Sequence, residues 1–346
     1  MDSRERVMRA VSFQPVDKIA LECNVNAVAL YEHGEKIREL FKTIEGDFSP
    51  VSDDRFPMPS ESDFDENGNY LSYRGDEWGV KWVYRIFGIQ GHPVKRPLDD
   101  WDNLDSYKLP PIEKFTENSP EYVNAGNYFK ELQAKRYYAK AGWIGLLERS
   151  CSLRKFEDVL ADLVCGDKDF VKLTDRLAAY HMTDIQNLLS AGVDGIQFGD
   201  DFGTQNSMLI SPEIFRDFYK PRFRDLIEPI KKAGKQVFFH CCGYVLPILE
   251  DLKEIGVDII WPQLSAYNLN DFASICRDIG LAVAIHPERS QLMTRGTPEE
   301  VYRRVYEYAE TFRPQEGGSL FYLEIDNGFP YENIEAMIKA VREMRQ

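Results

Sequence analysis

Two side chains placed two residues apart, His240 and Cys242, carry the most legible chemistry in this 346-residue chain. They lie at the end of the run KQVFFHC (235–241). The run is short and apolar, with Gly234 before it and Gly243 just after, so it reads as a buried strand. Strand side chains alternate between faces, so His240 and Cys242 point one way and Cys241 the other. An imidazole and a thiolate on one face are two donors of a tetrahedral zinc. The same residues also suit a core, because a free cysteine packs as a small hydrophobe, and two ligands alone do not make a catalytic site.

The elements that must position this pair follow from the rhythm of the chain. Apolar runs near 20, 50, 142, 196, 238, 259, 283 and 322 read as eight strands, the second of them a weak one over 47–53 interrupted by Pro50. Amphipathic segments alternate with them, at 26–43, 153–164, 168–190, 212–233, 244–255, 270–279, 298–312 and 331–345. A further helix over 3–12 has Ser3 as its expected N-cap. Ser211 before Pro212, and Thr297-Pro-Glu-Glu300, are helix-start signatures. Strands alternating with helices imply parallel βα units, and eight of them imply a (β/α)8 TIM barrel, with the doubly wound sheet as the alternative. No Gly-x-Gly-x-x-Gly follows the first strand, which counts against a dinucleotide fold. Residues 54–135 break the rhythm. They are rich in Pro, Asp, Gly and Trp, carry short alternating runs such as 80–84, and are too long for a plain loop. They read as a β-rich lid inserted after the second strand of a single domain spanning 1–346.

In a parallel barrel, chemistry sits just past the C-terminal ends of the strands. Those positions hold Asp200, Asp201 and Gln205 after the fourth strand, and His240 and Cys242 after the fifth. Trp261 and Gln263 follow the sixth, His286 the seventh, and Glu324, Asp326 and Asn327 the eighth. Glu324 is the expected third zinc ligand, with Asp326 two residues on as its rival and an ordinary salt bridge as the bland reading. Asp200 and Asp201 are the expected catalytic carboxylates, either binding substrate or orienting a ligand histidine; capping a turn is their plain alternative. Gln205, Trp261, Gln263, His286 and Asn327 are expected to bind substrate. His181 falls mid-helix and reads as structural, while His33 and His92 read as exposed.

Composition narrows the partners. The formal net charge is −15 and no basic run occurs, so nucleic acid and anionic membranes are poor partners. No window of eighteen apolar residues is present, and the charged start MDSRERVMRA lacks the apolar core of a signal peptide. Six scattered cysteines suit reduced thiols in a cytoplasmic protein better than a disulfide framework.

Several stretches are similar to the uroporphyrinogen decarboxylase superfamily: SRERVMRAVSFQPVDKIAL, the long run from GDDFGTQNSMLISPEIF through HCCGYVLPILEDLKEIGVDIIWP, GTPEEVYRRV and the closing ENIEAM. The resemblance implies a (β/α)8 barrel. One branch decarboxylates porphyrinogens without a metal and keeps an arginine-rich RQAGR-type motif near its N-terminus, where this chain has SRERVMRAVSFQ. The other branch is the cobalamin-dependent methyltransferases, whose hallmark is zinc held by His-x-Cys after the fifth strand and a further ligand near the last. His240 and Cys242 match the first part; Glu324 or Asp326 stands where a cysteine is frequent. The resemblance therefore implies a zinc-dependent methyltransferase that moves a methyl group between a methyl ether, methylamine or thiol and a corrinoid (cobalamin). No Asp-x-His-x-x-Gly occurs here, so the corrinoid is expected on a separate protein that docks over the barrel mouth, with 54–135 and the acidic surface as docking elements. The competing readings are a metal-independent decarboxylase or lyase acting through Asp200 or Asp201, and a non-catalytic binder of a corrinoid or small molecule. Monomer and homodimer both remain open.

Overall fold

The computed structural model describes residues 1–23, 25–51, 58–114, 116 and 119–346, without the side chain of Tyr122. The strands are β1 (Leu21–Cys23), β2 (Ser72–Gly75), β3 (Lys81–Tyr84), β4 (His92–Lys95), β5 (Lys140–Ile144), β6 (Gly195–Gly199), β7 (Gln236–Cys241), β8 (Ile259–Pro262), β9 (Ala282–Ile285) and β10 (Ser319–Leu323). Seven of them form one curled sheet in the order β1-β10-β9-β8-β7-β6-β5, parallel at every pairing. Helices cover its outer face, which is why β6 and β9 are buried at every position and read as unbroken apolar runs.

The expected second strand, at 47–53, is not a strand over its described part, and residues 52 and 53 lie outside the described residues. One residue bridges the gap instead. The Asp47 N–H donates to Leu21 O at 2.7 Å, and the Tyr138 N–H donates to Asp47 O at 2.9 Å, joining β1 to the run entering β5. The fully buried Asp47 side chain is held by the guanidinium groups of Arg6 and Arg345 and accepts the Leu21 N–H at 2.9 Å. The architecture is thus barrel-like, with seven strands and a one-residue bridge in the eighth slot.

Helix Ser3–Val11 closes the N-terminal end of the sheet: Val7, Ala10 and Val11 pack with Ala20, Phe238 and Leu320. Its N-cap is Asp2, whose carboxylate accepts the Glu5 N–H at 2.8 Å, rather than Ser3. The helix expected over 26–43 is two, Ala27–His33 and Glu35–Lys42, broken at Gly34 with φ 65°. The helix expected over 153–164 is Phe156–Cys165, and an additional helix, Leu147–Leu153, precedes it because β5 stops at Ile144. The caps read at Ser211 and Thr297 are present, the second as a reciprocal capping box.

The inserted region holds a three-stranded antiparallel sheet, β2-β3-β4, and the helix Pro120–Ala134; its residues 54–57, 115, 117 and 118 are outside the described residues. No helix among the described residues is long and apolar enough to cross a membrane.

Candidate metal centre

Alternation along β7 does what its sequence requires. Val237, Phe239 and Cys241 join the outer core beneath the helices, and the Cys241 sulfur accepts the Phe202 N–H at 3.2 Å. Phe238 faces inward, and His240 stacks on Trp261 with ring centroids 4.1 Å apart. Gly243 ends the run with φ 73°, and a Cβ there would meet Gly203 C at 2.4 Å. Only glycine allows the 201–204 loop to lie this close, and Tyr244 N donates to Thr204 O at 2.7 Å across the contact. That approach places Asp201 beside Cys242, whose N–H donates to Asp201 Oδ1 at 2.7 Å.

The result is a three-donor cluster. Asp201, His240 and Cys242 each place a ligand atom within 4.8 Å of the others. His240 Nε2 lies 3.3 Å from Cys242 Sγ and 3.5 Å from Asp201 Oδ1. His240 Nδ1 lies 3.1 Å from Trp261 O, a partner that can only accept, which assigns the proton to Nδ1 and leaves the Nε2 lone pair facing the cluster. A carbonyl orienting a ligand histidine in this way is the usual support of a metal-bound imidazole. Burial pushes His240 down to about 4 despite the nearby Asp201 carboxylate, so the ring is neutral at pH 7. Burial and Asp201 push the Cys242 thiol up to about 12. A thiol in such company ionises only when a cation joins it. The donor set, one oxygen, one nitrogen and one sulfur, fits zinc.

Glu148 lines the cavity beside His240 and is not among the residues expected from the sequence, since it stands on the helix that follows β5 rather than at the strand's end. Burial first, then the Asp201 and Asp200 carboxylates, push it up to about 8, against the pull of the Trp143 side chain. Glu148 therefore keeps its proton at neutral pH.

Asp200 is placed differently from Asp201. It is fully buried, and its two oxygens accept the N–H groups of Leu146 (2.6 Å), Leu147 (2.9 Å) and Glu148 (2.7 Å). It caps helix Leu147–Leu153 from the neighbouring strand end and so positions Glu148. Burial pushes its carboxyl up to about 7, against the pull of the three N–H groups.

Glu324 is not among the donors brought together. It pairs with Arg289 at 2.8 Å, and Asp326 meets the same guanidinium at 3.3 Å. His286 supports that arginine: its Nδ1 lies 3.0 Å from Tyr322 O, and Arg289 Nε donates to its Nε2 at 3.1 Å. Gln263 accepts the Gly243 N–H at 3.1 Å and donates to Gln205 at 3.3 Å, so these two brace the turn after β7. The Asn327 N–H donates to Asp326 at 2.9 Å. Beside the cluster lies a cavity of about 410 Å³ that His240, Glu148, Trp143, Arg149 and His181 line together with Trp82, Gln90 and Pro93 of the inserted region.

A parallel barrel-like sheet with its polar side chains gathered past the strand ends defines an α/β barrel protein with a candidate metal centre at its mouth. A uroporphyrinogen decarboxylase (URO-D) family model matches residues 94–344, and the chain belongs to that family. The match leaves out the N-terminal stretch SRERVMRAVSFQ. Among solved structures, a methyltransferase from Methanosarcina mazei superposes with a TM-score of 0.66 at 15% identity, covering 99% of each chain. A B12-independent methionine synthase from Shewanella sp. W3-18-1 aligns at 16% identity over 67% of each chain with a TM-score of 0.45. A dihydropteroate synthase from Anaplasma phagocytophilum aligns over 56% of this chain and 68% of its own at 18% identity, with a TM-score of 0.37. At such identities the likeness is one of fold. A search of curated proteins found no match.

Proposed function

We propose that this protein is a zinc-dependent methyltransferase that moves a methyl group between a small substrate and a corrinoid carried by a separate protein. The observation that carries the reading is the Asp201, His240 and Cys242 cluster at the mouth of the sheet. Likeness of fold to a methyltransferase over the whole chain supports it. His240, Cys242 and Asp201 would hold the zinc, with Glu324 as the alternative carboxylate donor. Bound there, zinc supplies Lewis acidity toward the substrate heteroatom.

The chain's own residues account for the rest. Trp143 and Trp261, with ring centroids 6.4 Å apart, offer apolar walls for a methylated group. The cavity position of Glu148, and the proton it keeps at neutral pH, suit it to act as a general acid. In the demethylating direction a corrinoid held by the partner would be the nucleophile that accepts the methyl group. The heteroatom keeps the pair of the broken bond and takes the Glu148 proton. The inserted region, which contributes Trp82, Gln90 and Pro93 to the cavity wall, would cover the substrate and meet the corrinoid protein.

The test is methyl transfer to reduced free cobalamin, followed by the absorbance change on methylation, with methyl ethers, methylamines and methyl thioethers as donors. The proposal predicts turnover with one donor class, abolished in Cys242→Ser and slowed about 100-fold or more in Glu148→Gln. Carbon dioxide release from a porphyrinogen by zinc-free protein, with no methyl transfer from any donor, would contradict it.

A further inference from the structure

Arg149 is the unexplained charge of the cavity. It sits on helix Leu147–Leu153, one residue past Glu148, and lines the same cavity as His240. Its guanidinium lies over the Trp78 ring, 4.2 Å from the centroid, and makes no hydrogen bond or ion pair with any described residue. The nearby carboxylates do not serve it. Asp76 is committed to the Val80 N–H and the Trp82 indole N–H, both at 2.8 Å, and Glu77 is exposed to solvent. Burial moves Arg149 down from its ordinary range, against the pull of the Asp76 and Glu77 carboxylates. Its guanidinium donors are therefore free to meet an anion in the cavity it lines.

His181 gives a second, independent sign at the same place. It is 4% exposed and lines the cavity; its Nε2 lies 3.1 Å from Gly145 O, and its Nδ1 has no hydrogen-bond partner. The carbonyl fixes the proton on Nε2, so Nδ1 is a bare acceptor. A guanidinium free for an anion and an imidazole free for a donor thus line one cavity together with His240 of the metal cluster.

We infer that the cavity takes an organic carboxylate, its anion paired with Arg149 and a hydroxyl or N–H next to the carboxylate donating to His181 Nδ1. A single guanidinium among Asp76, Glu77 and Glu148 suits a monoanion better than a phosphate dianion. The Trp82 and Trp143 walls favour a planar body between the two ends. This names the substrate class of the site proposed above, but binding at Arg149 requires neither metal nor turnover.

The experiment is calorimetric binding to the full-length protein of 2-hydroxy-4-methoxybenzoate, 4-methoxybenzyl alcohol and 4-methoxyphenyl phosphate, with zinc content measured on each sample. The carboxylate is expected to bind at least about tenfold tighter than the alcohol and tighter than the phosphate. Arg149→Met is expected to erase that preference while keeping zinc and a cooperative unfolding transition. Equal binding of acid and alcohol by the wild type, absence of acid binding, preference for the phosphate, or a preference surviving in Arg149→Met would each overturn the inference. Zinc-free protein that still binds the acid through Arg149 would overturn the metal reading and leave this one standing.

Discussion

Asp200 and Asp201 are adjacent, yet they are assigned opposite tasks, and substitution of Asp200 separates the two. Its Oδ2 accepts from Leu146 and Leu147 and its Oδ1 from Glu148, all at 2.6–2.9 Å in a fully buried setting. In Asp200→Asn the better amide orientation keeps the oxygen toward Leu146 and Leu147 and turns the NH2 onto the Glu148 N–H. One buried N–H loses its acceptor, and two bonds lose their charge assistance. The expected loss is about 2 kcal/mol, within the 1–3 kcal/mol range for an unsatisfied buried donor. Asp200→Ala strands all three N–H groups and removes the cap, for a loss of about 4 kcal/mol, a large share of a typical domain's 5–15 kcal/mol. Urea unfolding at pH 8, above the carboxyl's raised range, measures both, with the denaturant slope expected to stay unchanged. Zinc content should survive in Asp200→Asn. Stability within about 0.5 kcal/mol of wild type for both variants would refute the capping role. An accompanying loss of activity would return Asp200 to the chemistry.

Two further outcomes follow from the fold. Asp47→Ala leaves Arg6 and Arg345 buried without their shared carboxylate and is expected to cost about 4 kcal/mol by urea unfolding; a loss under about 1 kcal/mol would mean the bridge in the eighth slot is ornamental. Burial, then Arg149, pushes His181 down to about 4 from 6.5. A histidine depressed in the fold contributes stability above pH 6.5 and loses it as the pH falls toward 4. Relative to His181→Gln, the wild type should therefore lose about 2 kcal/mol between pH 7.5 and 5, and a gap that does not change with pH would contradict this.

The strand rhythm and the His240/Cys242 pair were legible because they rest on local periodicity: alternation alone separates Cys241, packed in the outer core, from its two neighbours. What fills the place of the expected second strand was not, because only Asp47 makes the bridge and a single residue leaves no pattern. The carboxylate that stands with the pair was hidden for a different reason. Glu324 sits at a suitable strand end, but the loop after β9 brings Arg289 to it, and no period predicts that approach. Asp201 reaches Cys242 because Gly203 and Gly243 let two loops touch, a long-range contact whose only sequence trace is two glycines. Glu148 carries little signal because the apolar run near 142 continues past Ile144, where β5 ends, into the helix that begins at Leu147. Arg149 and His181 stand on helices, where nothing in the periodicity marks a side chain turned to a cavity.

The central claim is tested most directly by metal content. Elemental mass spectrometry on protein purified without a metal-affinity tag should find about one zinc per chain in the wild type and in Glu324→Gln, almost none in Cys242→Ser, and a sharp reduction in Asp201→Asn. Wild-type protein without zinc, after purification in zinc-supplemented buffer, would contradict the metal centre. Zinc lost in Glu324→Gln and kept in Asp201→Asn would contradict the ligand set drawn from the cluster.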